Sequence, residues 1–169
     1  MKPKLLVARP IFQSVIDSLS EKFDVTSNQA DQPWTPDAWQ QAIACHDAAL
    51  TTGSDPINTH VMGAQPRLKI AANMAVGFNN FDVPAMTGLG VIASNTPDVL
   101  TETTADFGFA LMMATARRMT ESEHYLRAGL WKQWRYDMFA GAEVHGSTLG
   151  ILGMGRIGQA IARRGALGF

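Results

Sequence analysis

Short apolar runs alternate with amphipathic segments over the first hundred residues of the chain. Residues 4–8 and 48–51 are short and apolar, as expected for buried strands. Between them, residues 11–19 repeat apolar side chains at a spacing of three and four, which is typical of a helix with one buried face. A second helix is predicted over residues 36–44, because Thr35 is a suitable N-cap and a proline follows at the first helical position.

The same alternation continues to about residue 93. Further strands are predicted over residues 23–26, 68–72 and 91–93, and short helices over residues 57–62 and 83–87. Alternating strands and helices favour a parallel sheet with helices on both faces. We therefore predict that residues 1–100 form an α/β, flavodoxin-like domain, with ligand loops at the strand ends.

A long helix is predicted next, with Thr101 as its N-cap and Gly129 at its C-terminal end. Residues 106–116 are apolar nearly all round, so this part is predicted to lie buried between two layers. Four aromatic residues follow, namely Trp131, Trp134, Tyr136 and Phe139. Two interpretations of this cluster remain open, a loop held in place by its own aromatic rings or a subunit interface.

A glycine-rich turn, GMGRIG, occupies residues 153–158. Residues 148–152 before it have strand character, and residues 159–164 after it favour a helix. In such a unit Gly153 permits the tight turn, Gly155 lets the backbone approach a pyrophosphate, and Gly158 lets the helix pack closely. The helix N-terminus adds free N–H groups and partial positive charge. The pattern predicts a dinucleotide site, and a turn that serves packing alone is the alternative.

The acidic residue that contacts the ribose is expected about 20 positions after these glycines, which is beyond Phe169. Residues 101–169 are therefore predicted to be the beginning of a Rossmann dinucleotide-binding domain, truncated. NAD and NADP cannot be distinguished, because the deciding residues follow the second strand. Arg163 and Arg164 lie on the first helix and are predicted to be on its solvated face.

Composition narrows the class of protein. A net charge of −1 argues against a nucleic-acid or membrane-surface partner. The single cysteine, Cys45, cannot form an internal disulfide, suits a reducing cytoplasm and is predicted to be a small buried hydrophobe. No segment has the length of a signal-peptide core or a membrane span. We expect a cytoplasmic protein with no metal site.

Three stretches resemble the D-isomer-specific 2-hydroxyacid dehydrogenases, and within them the glyoxylate/hydroxypyruvate reductase (2-ketogluconate reductase) branch. They are NMAVGFNNFD at 73–82, NTPDVLTETTAD at 95–106 and residues 148–158, and RAGLW at 127–131 falls between them in the family's order. The resemblance covers the whole chain. It implies that this chain is the N-terminal half of a homodimeric protein that, when intact, reduces glyoxylate, hydroxypyruvate or 2-ketogluconate with NADH or NADPH.

The resemblance also assigns roles by position. The substrate loop of the family matches Ala75, Val76 and Gly77, whose N–H groups would hold the carboxylate of a 2-keto acid; a tight turn without a ligand is the alternative. Thr104 matches a position whose hydroxyl meets the cofactor; a structural threonine within the helix is the alternative. The backbone amides of Arg156 and Ile157 match positions over the pyrophosphate.

The catalytic Arg, Glu and His of the family match no residue of this chain. In the family, the Arg orients the keto acid and the His, whose pKa the Glu raises, donates the proton. The four histidines, His46, His60, His124 and His145, are predicted to be surface or loop residues. We therefore expect this chain to be an inactive fragment whose residues from about 141 onward fray or cause aggregation. The alternatives are a non-catalytic dinucleotide-sensing or degraded paralogue, and another family dehydrogenase acting on phosphoglycerate or formate.

Overall fold

The first strand of the chain, β1 (Lys4–Val7), lies inside a five-stranded parallel sheet. The computed structural model describes residues 1–169, which divide into two units, residues 1–97 and 98–169. The sheet belongs to the first unit and has the order β2-β1-β3-β4-β5. Its other strands are β2 (Asp24–Ser27), β3 (Ala48–Thr51), β4 (Ile70–Asn73) and β5 (Ile92–Ser94). The predicted parallel α/β architecture is confirmed.

Four helices connect these strands: α1 (Gln13–Ser20), α2 (Pro36–Cys45), α3 (Thr59–Met62) and α4 (Val83–Gly88). The predicted cap of α2 is confirmed, since the Thr35 hydroxyl accepts the N–H of Ala38 at 3.3 Å. The side chains of Asn58 and Asp82 cap α3 and α4 in the same way. Each cap supplies an acceptor for an N–H group that the helix itself leaves free.

Apolar clusters cover both faces of the sheet at its central strands, whereas the edge strand β5 is exposed. Leu6 and Ala49 belong to one apolar cluster, and Leu5, Val7 and Ala48 belong to the other. Successive side chains of a strand point to opposite faces, so the two clusters lie on opposite sides of the sheet. Helices α2, α3 and α4 contribute to the first cluster, and α1 contributes to the second.

Two sequence predictions at the end of α2 are wrong. Cys45 is exposed, not buried, because α2 turns Trp39 and Ile43 toward the core and Cys45 falls on another face of the helix. His46 is buried, with 7% of its surface exposed, and is not a surface residue. Its ring Nδ1 lies 2.7 Å from the carbonyl oxygen of Ala42, which satisfies it inside the fold.

The second unit contains α5 (Thr101–Ala116), α6 (Met119–Arg127) and α7 (Arg156–Gly165). The prediction of one long helix is wrong, because Arg118 has a left-handed backbone (φ 53°) that ends α5 and begins α6. Thr101 is the first helical residue and not the N-cap, which is Leu100. Gly129 does follow the end of α6, with φ 68°.

Helix α5 packs against α7, but most of its surface is uncovered. Only Ala105 is buried, while Phe107 and Leu111 are 69% and 55% exposed. The predicted burial of residues 106–116 between layers is therefore wrong for this chain. The predicted solvated face of α7 is also wrong for Arg164, which is 22% exposed and donates to Asp106 at 2.7 Å. No helix is long and apolar enough to cross a membrane.

Residues 148–152 form no strand, so that prediction is wrong. A strand exists only where its N–H and C=O groups pair with a neighbour, and the one sheet of the structure consists of β1 to β5. Side-chain packing is still present, since a Cβ atom on Gly165 of α7 would lie 2.6 Å from Leu149. The segment lies against α7 without a partner strand.

Candidate functional site

The loop after β4, residues 74–80, carries the predicted substrate-binding residues. The carbonyl oxygen of Ala75 accepts the backbone N–H of Thr96 at 3.0 Å. The carbonyl oxygen of Val76 accepts from Asn95 Nδ2 at 2.8 Å, and that of Gly77 accepts from Asn73 Nδ2 at 3.0 Å. All three carbonyl groups are thus held by donors of the same unit.

The N–H groups of Ala75, Val76 and Gly77 donate to no backbone carbonyl of the chain. In a trans peptide the N–H points away from the C=O, so engaging the carbonyls of Ala75 and Val76 turns the N–H groups of Val76 and Gly77 away from those donors. Successive N–H groups without a backbone acceptor are available to an anion, and oriented backbone amides supply partial positive charge. The loop can therefore hold a carboxylate.

The side-chain amides of one buried and one half-buried asparagine support this loop, and sequence reasoning missed them. Asn73, only 1% exposed, also donates to Asn80 Oδ1 at 3.0 Å, and it accepts from Thr51 Oγ1 at 3.1 Å. Asn80 Nδ2 in turn donates to the carbonyl oxygens of Thr52 and Asp55 at 3.0 and 2.8 Å. The only signal in the sequence was the presence of asparagines at both ends of a glycine-containing loop.

The Asp55 carboxylate extends this network to the end of β1. It accepts the N–H of Thr52 at 2.8 Å and pairs with Arg9 Nε at 3.1 Å. The negative charge of Asp55 raises the pKa of Arg9 above its ordinary value, and a hydrogen bond to Asp31 raises it further. The guanidinium is thus already paired with carboxylates of the protein.

The glycine loop of the second unit, residues 153–158, leads directly into α7. Gly153 has φ 94°, a conformation that glycine adopts without strain. A Cβ atom on Gly158 would collide with the carbonyl oxygen of Gly153, so the loop closes on α7 only with glycine at this position. A Cβ atom on Gly155 would meet nothing within 4 Å, so this side of the loop is open.

The first turn of α7 offers unpaired donors. Gly155 is the N-cap and provides no side chain, and no backbone carbonyl outside the helix accepts the N–H groups of Arg156, Ile157 and Gly158. The positive end of the helix dipole lies at the same place. This arrangement fits the pyrophosphate of a dinucleotide. The Arg156 side chain pairs with Asp98 at 2.9 Å.

The remaining predicted residues are not brought into either loop. Thr104 lies in the first turn of α5 with its side chain exposed. His60, His124 and His145 are exposed, as predicted, and none belongs to residues 74–80 or 153–158. The substrate loop belongs to the first unit and the glycine loop to the second.

Comparison with known proteins gives relatives over the whole chain. Glyoxylate reductase of Thermococcus onnurineus is 45% identical over 173 aligned positions, which cover 100% of this chain and 52% of the relative. Glyoxylate reductase of Korarchaeum cryptofilum is also 45% identical and covers 100% and 51%. The chain thus spans about half the length of the curated relatives that it matches.

Solved structures also match nearly the whole chain with about half of their own length. A protein of Thermus thermophilus superimposes with a TM-score of 0.86 at 35% identity, over 97% of this chain and 53% of that one. An NADPH-dependent glyoxylate/hydroxypyruvate reductase of Sinorhizobium meliloti, in complex with NADP and malonate, gives a TM-score of 0.73 at 34% identity, over 97% and 50%. Residues 5–149 match the catalytic domain of the D-isomer specific 2-hydroxyacid dehydrogenases. The chain therefore belongs to the D-isomer specific 2-hydroxyacid dehydrogenase family.

Proposed function

We propose that the protein containing this chain reduces a small 2-keto acid, such as glyoxylate, hydroxypyruvate or 2-ketogluconate, to the D-2-hydroxy acid with NADH or NADPH. The observation that carries this proposal is the loop at residues 75–77, in which every carbonyl is engaged and the N–H groups are free of backbone acceptors. The names of the relatives, glyoxylate reductase and glyoxylate/hydroxypyruvate reductase, support the same substrate class.

The substrate would bind to the first domain, residues 1–100. The N–H groups of Ala75, Val76 and Gly77 would hold its carboxylate, because hydrogen bonds to a charged acceptor are stronger than neutral ones. Backbone donors recognise the carboxylate that all 2-keto acids share and make no distinction among their side chains. Selection among glyoxylate, hydroxypyruvate and 2-ketogluconate would then depend on other groups around the substrate.

The cofactor would bind to the second domain, which begins in residues 101–169. Gly153, Gly155 and Gly158 would shape the loop, and the amides of Arg156 and Ile157 would donate to the pyrophosphate. The Thr104 hydroxyl would meet the cofactor from α5. The nicotinamide supplies the hydride when the dinucleotide is bound. No residue of this chain distinguishes NAD from NADP.

Proton transfer would rest on groups outside this chain, since the Arg, Glu and His that the family uses match none of its residues. We therefore propose binding and orientation as the work of these 169 residues, and no turnover by the chain alone. Without the proton donor, the oxygen that gains charge during hydride transfer would have no acid to neutralise it.

The test is to sequence the gene past the codon for Phe169 and to assay the full-length product for keto-acid-dependent oxidation of NADH and NADPH. An open frame with the Arg, Glu and His, and oxidation that requires glyoxylate or hydroxypyruvate, is the expected result. A stop codon directly after Phe169 would contradict the enzyme function and favour a non-catalytic dinucleotide-binding paralogue. Activity with only phosphoglycerate or formate would point to another dehydrogenase of the family.

We also propose a homodimer and a cytoplasmic location. Trp134 and Tyr136 are 77% and 88% exposed, and large exposed aromatic side chains are enriched at subunit interfaces. Light scattering on the full-length product should give a dimer that Trp134→Ser weakens. Phe12→Ser, at an equally exposed aromatic residue of the first unit, is the matched control. The exposed free thiol of Cys45 suits a reducing compartment, which cell fractionation would check.

A further inference from the structure

The peptide bond between Gly77 and Phe78 is fixed by a buried side chain, and the family resemblance assigns its N–H no role. Its carbonyl oxygen accepts a hydrogen bond from Asn73 Nδ2 at 3.0 Å, and Asn73 is almost fully buried. The N–H of this peptide belongs to Phe78 and donates to no backbone carbonyl of the chain. Because the N–H of a trans peptide points away from its C=O, the buried amide turns the N–H of Phe78 outward.

Two neighbouring peptides are oriented in the same way, by hydrogen bonds to their carbonyl oxygens. The engaged carbonyls of Ala75 and Val76 turn outward the N–H groups of Val76 and Gly77. No hydrogen bond to the Met74 carbonyl fixes the N–H of Ala75 in this way. The donors with an imposed direction are therefore those of residues 76, 77 and 78, a set shifted by one residue from the predicted 75–77.

We infer that the Phe78 N–H is a further binding group for the carboxylate of the 2-keto acid, and that Asn73 is the residue that positions it. This inference rests on the proposed function. A carboxylate has two oxygen atoms with about four acceptor sites, so a third donor can be used alongside those of Val76 and Gly77. Successive N–H groups that converge on one anion stabilise it more than a single donor does.

Asn73 is itself fixed from two sides, which makes it suited to this role. Thr51 Oγ1 donates to its Oδ1, and its Nδ2 also donates to Asn80 Oδ1. A carbonyl oxygen can only accept, so the Gly77 carbonyl sets which end of the Asn73 amide carries the NH₂ group, and Nδ2 faces it. An aspartate at this position has nearly the same shape but no hydrogen to donate, and it would release the Gly77–Phe78 peptide.

The experiment measures glyoxylate kinetics of the full-length product after replacement of the Phe78 N–H by an ester oxygen, Phe78→phenyllactate. Loss of one hydrogen bond to a charged group corresponds to roughly a tenfold or larger loss of affinity. We expect the KM for glyoxylate to rise by roughly that factor with kcat unchanged, because ground state and transition state both carry the carboxylate. Phe12→phenyllactate is the matched control and should leave KM near that of the wild type, since the N–H of Phe12 also donates to no backbone carbonyl and lies outside the substrate loop.

The positioning role is tested by Asn73→Asp against Asn28→Asp. Asn28, like Asn73, donates two hydrogen bonds from Nδ2. Its acceptors are the backbone carbonyls of Ala8 and Gln32, and it does not contact the substrate loop. Asn73→Asp should raise KM as the ester does, and Asn28→Asp should not. A purely structural Asn73 would lower the urea midpoint and leave KM unchanged, which would overturn its positioning role.

Amide chemical shifts of the unmodified full-length product cover the case in which a variant does not fold. Oxalate should shift the Phe78 amide together with those of Val76 and Gly77. Shifts at Val76 and Gly77 with none at Phe78, or an ester variant with the wild-type KM, would overturn this inference and leave the proposed function intact. Absence of both turnover and oxalate shifts in the wild type would overturn both.

Discussion

Two glycines of the same turn should respond to alanine in opposite ways. A methyl group on Gly158 would collide with the Gly153 carbonyl, which is backbone and cannot rotate away. Overpacking of this kind costs about 1–3 kcal/mol, and alanine recovers at most about 1 kcal/mol over glycine within a helix. The net destabilisation of α7 should therefore reach about 2 kcal/mol, or roughly thirty-fold in its opening equilibrium.

Gly155→Ala should have little effect on stability, because its Cβ would meet nothing within 4 Å and its φ of −74° suits any residue. A change within about 0.5 kcal/mol is expected. The added methyl would instead stand where the pyrophosphate approaches the loop. Loss of one charge-assisted hydrogen bond corresponds to roughly a tenfold or larger loss of dinucleotide affinity.

Two measurements on the full-length product separate the loss of stability from the loss of affinity. Hydrogen exchange of the α7 amides reports stability, and quenching of protein fluorescence by NADH and NADPH reports dinucleotide affinity. Gly150→Ala is the matched control, since its Cβ would also meet nothing within 4 Å and the residue lies outside the turn. Equal exchange of the α7 amides in Gly158→Ala and Gly150→Ala would refute the predicted collision. Dinucleotide binding by Gly155→Ala as tight as that of the control would refute the predicted approach of the pyrophosphate.

Four further outcomes follow from the structure. Arg164→Gln removes bonds to Asp106 and to Glu102 and should lower the urea midpoint of the second unit, whereas the more exposed Arg163→Gln should have almost no effect. A hydrogen bond from the Arg67 guanidinium lowers the pKa of Asp47. The stability that this bond contributes is therefore present above the unfolded-state pKa of Asp47 and is lost as the pH falls through the folded-state pKa. Asp47→Asn should flatten that part of the acid-unfolding curve. Thr35→Ala should cost about 1 kcal/mol, seen as a lower Tm of the first unit. In the 169-residue chain alone, amides of residues 149–162 should exchange much faster than those of β1 and β4, and equal protection would contradict this.

Local signals in the sequence were enough to predict the first unit. The alternation of short apolar runs with amphipathic segments gave the order of strands and helices, because each element buries its own apolar face. Thr35 and the proline after it located the start of α2 to the residue. The geometry of the glycine turn also follows local rules, and both Gly153 and Gly158 occupy positions that require glycine.

Features that depend on distant contacts were not predictable. The break between α5 and α6 follows no helix-breaking residue, and Arg118 adopts its left-handed conformation while it donates to Glu121 and to the Ala140 carbonyl. The support of the substrate loop by Asn73 joins residues that only the sheet topology brings together. An asparagine at a strand end is equally compatible with a turn, a cap or a ligand.

The apolar pattern and the observed burial disagree most in the second unit, and the disagreement has a physical explanation. Hydrophobic periodicity reports how much surface a segment must bury, but it does not say what covers that surface. Phe107 and Leu111 of α5 remain exposed, as does Leu152 beside the glycine turn. Since exposed apolar surface of this extent marks a contact with another protein surface, α5 and residues 148–152 should be the places where the second unit gains most from further polypeptide or a second subunit. In the first unit, two apolar clusters already pack on the two faces of the sheet, and the exposed Ile92 lies on its edge strand β5.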